Sequence, residues 1–276
     1  MTMAKDNRDA METGRPRPKT FRALGPHDPP QEVVIAGVTY RHRETYKHDS
    51  WAATALYASE SGQVVCKFNR CQSIGPIPMR WLGRLLARRE KNFLKALSDL
   101  PGIPKVYETV TADGRSLPNV TAHDFVEGKP LSISSCVSPD FFDRFDLMLQ
   151  EMHRRRIAYI DLHKQENVIV GEDGAPHLID FQISFRAPDL RCLDFLLRIL
   201  TDCDRYHAYK HRAQHGMVKS GEPAMCRPKW ICLHRKIAVP FRTIRRRFLV
   251  ALGIRRGYGA PSTESAPEIG LRRAHA

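Results

Sequence analysis

The chain has 276 residues, 42% of them apolar and 27% charged, enough for one two-part domain or two small ones around a sizeable core. Its seven cysteines form no C-x-x-C pair, which speaks for a reducing compartment and against a disulfide framework; no apolar run approaches the ~20 residues that span a bilayer. The net charge of +14 is lopsided: residues 205–276 hold 16 Lys/Arg against 3 Asp/Glu, a net of +13, which leaves +1 for residues 1–204. Such a basic end favours anionic partners, phospholipid surfaces, lipopolysaccharide phosphates or nucleic acid, though no specific nucleic acid is expected.

Residues 1–30 are polar and carry Pro16, Pro18, Pro26, Pro29 and Pro30. They read as a disordered leader and, having no apolar core, not as a secretory signal. From Gln31, Val33-Val34-Ile35 and Val38-Thr39-Tyr40 read as strands around Gly37. A strand, a loop, a strand, a turn at Ser61-Gly62 and a further strand follow. In the last, Val65 and Lys67 share one face, and Val64, Cys66 and Phe68 the other. A long helix is expected from about 78 to 100, with the stripe Leu82, Leu86, Phe93, Leu97 and Leu100. Glu90 interrupts that stripe. A carboxylate there is costly unless paired, either with Lys67 or with a basic residue of its own helix.

Two more strands and a connector are expected over 105–131, with Asp113-Gly114 as the turn. Ser138-Pro139-Asp140 is a helix start, and Phe141, Phe145, Met148, Leu149 and Met152 form its buried stripe. His153 and His163 read as packing or locally bonded histidines. Next come Asp161 and Asn167, then a hairpin: Val168-Ile169-Val170 runs in, 171–174 turns, His177-Leu178-Ile179 runs out, and Asp180 closes it. Two carboxylates and an amide on the ends of paired strands suit phosphoryl transfer, one carboxylate for the acceptor hydroxyl, the amide and second carboxylate for magnesium. After a helix near 192–198, Cys203, His207, His211 and His215 recur at helical spacing, with Cys226, Cys232 and His234 nearby. This pattern is either a zinc-type cluster or a basic solvated face. Residues 240–257 mix apolar and arginine clusters, as an interfacial helix or as a core helix would.

The stretch 158–185 resembles the catalytic core of the protein-kinase-like superfamily, whose loop reads H-R-D-x-x-x-x-N before a strand pair and D-F-G. Tyr159 and Ile160 stand in place of the His-Arg pair, Asn167 lies six residues after Asp161 rather than five, and Gln182 replaces the final Gly. The Asp161-Leu162-His163 run is more similar to aminoglycoside phosphotransferases, RIO kinases and bacterial lipopolysaccharide core (Kdo) kinases, the atypical bacterial-type branch. The resemblance implies a two-lobed α+β fold: a small antiparallel sheet lobe over 31–125 and a larger helical lobe over 126–215, followed by a basic extension over 216–276 whose end is disordered. It implies ATP with Mg²⁺ (or Mn²⁺) as cofactors.

By the same resemblance, Asp161 takes the acceptor proton, and Asn167 and Asp180 hold metal. Lys67, positioned by Glu90, grips the phosphates, and the backbone of Asp124, Phe125 and Val126 meets the adenine edge. The acceptor is a hydroxyl of a lipopolysaccharide core sugar or similar glycan, or a protein serine or threonine as for RIO kinases. A nucleotide-binding pseudokinase is the non-enzymatic alternative. In place of a glycine-rich loop stand Ser50, Trp51, Ala52, Ala53 and Thr54. Only residues 186–190 echo the end of an activation segment, and so short a segment suits a small or glycan acceptor. The expected location is cytoplasmic, with peripheral attachment at the inner face of the membrane as an option through the basic end.

Overall fold

A computed structural model of the chain describes residues 19–218, 221 and 223–231. The leader residues 1–18 lie outside the described residues, as do Cys232, His234 and the 240–257 segment. The described part is mixed α+β. Its main sheet is antiparallel and eight-stranded, built from β1 (Glu32–Ile35), β2 (Val38–His48), β3 (Ala52–Ser59), β4 (Gly62–Asn69), β5 (Val106–Tyr107), β6 (Val110–Ala112), β7 (Arg115–Ser116) and β8 (Val120–Asp124), in the order β5-β8-β4-β3-β2-β1-β6-β7. Helix α1 (Arg80–Ala96) lies against β4 and β8.

The central strands follow the expected alternation. Ala53, Ala55 and Tyr57 of β3 and Val64, Cys66 and Phe68 of β4 are buried in one core beneath the sheet. Thr54 opposes Lys67 and Leu56 opposes Val65 on the other face. Alanine and cysteine facing tyrosine and phenylalanine alternate small with large, which lets a curled sheet fill its own interior.

The second core gathers around α2 (Phe141–Arg154), with Phe141, Phe142, Phe145, Leu149, Met152, Tyr159 and Phe181. The helix starts at Phe141 rather than at Ser138; the Ser138 hydroxyl donates instead to the Gly174 carbonyl, 3.3 Å away. The expected hairpin is present as β11 (Val168–Gly171) and β12 (Pro176–Leu178), joined on its other side by β9 (Gly128–Pro130). A two-stranded piece, β10 (Ile157–Ala158) with β13 (Phe185–Arg186), brackets residues 159–184. Helix α3 (Arg191–Gln214) then runs without a break.

Helix α1 joins the sheet to the second core: Glu90 meets Lys67 on the sheet face turned away from the first core, whereas Phe93, Leu94 and the C-cap residue Leu97 enter the second core. Its approach requires a glycine, since a Cβ on Gly83 would stand 2.2 Å from the Arg70 carbonyl oxygen.

One expectation needs correction. Residues 19–30 are not a disordered leader. Ala23 is fully buried, its N–H donates to the Asp49 carbonyl at 2.8 Å, and its carbonyl accepts from the Cys71 and Gln72 N–H groups at 3.1 Å. Backbone pairing with two loops holds this stretch despite its prolines. Among the described residues no helix is long and apolar enough to cross a membrane.

Candidate functional site

Lys67 is the hub. Its ammonium lies 3.4 Å from Glu90 Oε1 and 2.7 Å from Asp180 Oδ1. Strand β4, helix α1 and the segment after β12, distant in sequence, thus meet at one cation. Of the two partners proposed for Glu90, the structure has Lys67. Glu90 is 1% exposed, and its Oε2 has no hydrogen-bond partner among the described residues. Burial pushes its carboxyl up, against the pull of Lys67. Burial alone would lower Lys67, but Glu90 and Asp180 together hold it above its ordinary value. For Asp180, burial is outweighed by Lys67 and, further off, Lys164, which hold the carboxyl below its usual range.

The other residues gather around Asp161. Its Oδ2 accepts from Lys164 Nζ at 2.7 Å and Asn167 Nδ2 at 3.1 Å, and its Oδ1 lies 3.3 Å from His163 Nδ1. Asp161 and Asn167 are both buried. The Asn167 amide nitrogen is spent on Asp161, so only the amide oxygen could face a cation. Asp180 has φ +61° and Ile160 φ +72°. The Asp161 N–H returns to the Tyr159 carbonyl at 2.9 Å, so Ile160 is the centre of a tight positive-φ γ-turn, a strained place for a β-branched residue.

What holds that strain is Asp204 of α3, a residue absent from the sequence-based expectations. It is 0% exposed; one oxygen accepts the Tyr159 N–H at 2.7 Å and the other the Ile160 N–H at 2.8 Å. His153 Nε2 lies 3.1 Å from the same carboxylate. Tyr159 packs edge-on against Phe181, 5.2 Å between ring centres, and its hydroxyl donates to the Ile179 carbonyl. The turn before Asp161 and the stretch entering Asp180 are therefore fastened together. Arg89 ties down the chain just beyond Asp180, donating to the Gln182 and Ser184 carbonyls at 3.3 and 2.8 Å. Gln182, which stands where the resemblance has glycine, donates to Asn69.

The loop between β2 and β3 is closed on itself. Asp49 Oδ1 accepts the Trp51 N–H at 2.7 Å and the Ala52 N–H at 3.0 Å. A carboxylate thus fills the amides that a phosphate would seek. Arg70 fixes the same loop through the Ser50 carbonyl at 2.6 Å.

At Asp124, Phe125 and Val126, the first two N–H groups are taken, by the Lys105 carbonyl at 2.9 Å and the Gln63 carbonyl at 3.1 Å. Beside them opens a depression of about 610 Å³ lined by Leu56, Ala58, Gln63, Phe125 and Glu127 among others. It adjoins the strand face that bears Lys67 but does not include that lysine.

The Cys/His pattern centred on α3 is described only in part, since Cys232 and His234 lie outside the described residues. Among the described residues no group of three or more His, Cys, Asp or Glu is placed to hold a metal ion. The face is only partly solvated: Cys203, His207 and His215 are half-buried. His211 is buried with Nε2 2.7 Å from the Leu162 carbonyl, and His215 Nε2 lies 2.9 Å from the Ser132 carbonyl. Burial, then the basic neighbours His211, His163, Lys210 and Arg227, push the His207 imidazole down to about 3.

No model of a known protein family matches this chain, and no curated protein does.

Proposed function

We propose that the protein is an ATP- and magnesium-dependent phosphotransferase of the protein-kinase-like superfamily, with the sheet lobe at 31–125, the helical lobe at 126–215 and a basic extension from 216. The observation that carries this reading is the junction at Lys67. One buried ammonium joins a carboxylate of α1 and a carboxylate at the end of a hairpin, beside an Asp–Asn pair at the hairpin's start. Phosphoryl transfer needs little covalent chemistry from a protein and much positioning of charge. In this reading Lys67, aimed by Glu90, meets the nucleotide phosphates. Asp180 and the Asn167 oxygen would hold Mg²⁺ or Mn²⁺, with phosphate oxygens and water completing the set. The metal, when bound, would neutralise phosphate charge. Asp161 would orient and deprotonate the acceptor hydroxyl, which takes the place of Lys164 or His163 at one carboxylate oxygen.

Adenine would lie on the face of Leu56 and Val65. Since Asp124 and Phe125 have committed their N–H groups, it would draw on the Val126 N–H and the carbonyls of this stretch. A glycan hydroxyl, of the lipopolysaccharide-core kind, is the favoured acceptor. The chain between Asp180 and α3 is short and anchored by Arg89 and by Arg156, whose Nη2 donates to the Pro188 carbonyl at 2.8 Å. It offers no extended ledge for a peptide. The resulting location is cytoplasmic, at or near the inner membrane face.

One observation favours a second reading. With Asp49 filling the loop amides, phosphate grip falls on Lys67 and the metal alone, which suits a nucleotide-binding pseudokinase. The deciding experiment offers γ-labelled ATP and Mg²⁺ to the full chain with lipopolysaccharide core oligosaccharide and with a generic protein. Label on the glycan, lost in Asp161→Asn, is expected. Label on protein alone would replace the glycan by a RIO-like protein acceptor. Nucleotide binding without transfer to either would favour the pseudokinase.

A further inference from the structure

The outer face of α1 is unusual in a way the proposed reaction does not use. The turn before the helix is closed by a mutual backbone pair, Ile74 N–H to the Ile77 carbonyl at 3.0 Å and the reverse at 3.1 Å. It presents both isoleucines outward. Exposures are 44% for Ile74, 57% for Ile77, 59% for Trp81 and 46% for Leu85. Single exposed apolar residues are ordinary, but four on one turn and the adjoining helix are not. At 100° per residue, Arg80, Arg84, Arg88, Trp81 and Leu85 fall within an arc of about 140° that does not overlap the buried side formed by Gly83, Ala87, Glu90 and Leu94. The three arginines are exposed, and no Asp or Glu stands between Asn69 and Arg89.

The charge decides among occupants. The chain's own C-terminal part carries a net +13 over 205–276, so it would be repelled. A second copy docking the same patch by a two-fold axis would set arginine against arginine. The partner is therefore anionic. It is also apolar in part, since two isoleucines, a leucine and a tryptophan gain nothing from a phosphodiester backbone. An anionic bilayer supplies both, with phosphates at the level of the arginines and acyl chains just below. Tryptophan is also the side chain that settles at that boundary.

We propose that the Ile74–Ile77 turn and the Arg80–Arg88 face of α1 dock the protein on anionic phospholipid headgroups. The surface is firmly mounted, because Gly83 lets α1 sit directly on the Arg70 backbone. Docking here needs no property of the proposed phosphotransfer, so binding and turnover test separately. The helix that docks also carries Glu90, which would set the Lys67 site beside the membrane.

The test is flotation of the full chain with phosphatidylcholine vesicles, with and without phosphatidylglycerol, at low and high salt. The parent should float with the anionic vesicles and be released by salt. The variant Ile77→Ser/Trp81→Ser/Leu85→Ser leaves every charge in place and should bind at least about tenfold more weakly, because apolar area and charge act together. In a Trp51→Phe/Trp230→Phe background, Trp81 emission should be quenched by brominated acyl chains. This reading needs no disruptive substitution on α1. Triple-serine protein floating as well as the parent would assign binding to charge alone, in the basic tail, and overturn the proposal. So would unquenched Trp81, or a duplex nucleic acid that both proteins bind equally and that displaces the vesicles.

Discussion

The sheet side and the helical side deliver their site residues by different means. Lys67 and Glu90 stand at ordinary positions of a strand and a helix, and regular register aims them. Asp161, Asn167 and Asp180 stand on or beside turns, with positive φ at Asp180 itself and at Ile160 just before Asp161, and the turn at Ile160 is held by a clamp from elsewhere. The clamp on the turn before Asp161 is polar and buried: Asp204 accepts the Tyr159 and Ile160 N–H groups. Regular structure positions a residue through backbone bonds it already needs. A strained turn requires a dedicated partner, and the site on that side is only as firm as the partner.

If the clamp matters as argued, the largest effect comes from Asp204→Ala. It orphans two buried N–H groups and His153, and should cost about 3 kcal/mol or more in urea unfolding; a loss below about 1 kcal/mol would put the strain elsewhere. Next is the Lys67–Glu90 pair. Lys67→Met, which leaves the Glu90 carboxylate buried without its cation, should cost roughly 2–4 kcal/mol; Glu90→Leu should cost less, because Lys67 keeps Asp180 at 2.7 Å, and the double variant clearly less than their sum. Additive losses would mean the two are independent.

Acid provides a third contrast. His207, at about 3, stays neutral in the folded protein while the unfolded chain titrates near 6.5. Between those values the unfolded state binds the extra proton. Stability is therefore full above about pH 6.5 and falls as pH drops, by at most roughly 1.4 kcal/mol per unit from this group. Urea midpoints that rise on acidification would refute this. The smallest effect is expected on the sheet side. Ala36, exposed at the β1–β2 turn with φ +50°, has no clamp to lose, so Ala36→Asn should stabilise by about 0.5–1 kcal/mol. A loss would show that this turn too depends on its side chain.

The same division explains what was legible in the sequence. Strand alternation displayed Lys67, and a carboxylate on an apolar stripe displayed Glu90. Motif spacing displayed Asp161, Asn167 and Asp180. Asp204 was invisible because the buried stripe of α3 is Thr201, Asp204, Ala208, His211 and Arg212, which hydropathy reads as a wet face. Polar residues at helical spacing were the available signal, and they were read as zinc ligands or solvated charges. Strands β9, β10 and β13 are two or three residues long, too short to alternate. Residues 19–30 looked disordered because their order comes from backbone bonds to Asp49, Cys71 and Gln72, which leave no side-chain pattern.

The central claim is that the Lys67–Asp180 junction receives a metal–nucleotide complex and that Asp161 serves the acceptor rather than the nucleotide. Thermal unfolding of the parent, Asp161→Asn and Asp180→Ala, each with and without ATP and Mg²⁺, tests it directly. The account predicts a ligand-dependent rise in Tm for the parent and for Asp161→Asn, and none for Asp180→Ala. No rise in the parent, or a rise that survives Asp180→Ala and disappears in Asp161→Asn, would contradict it.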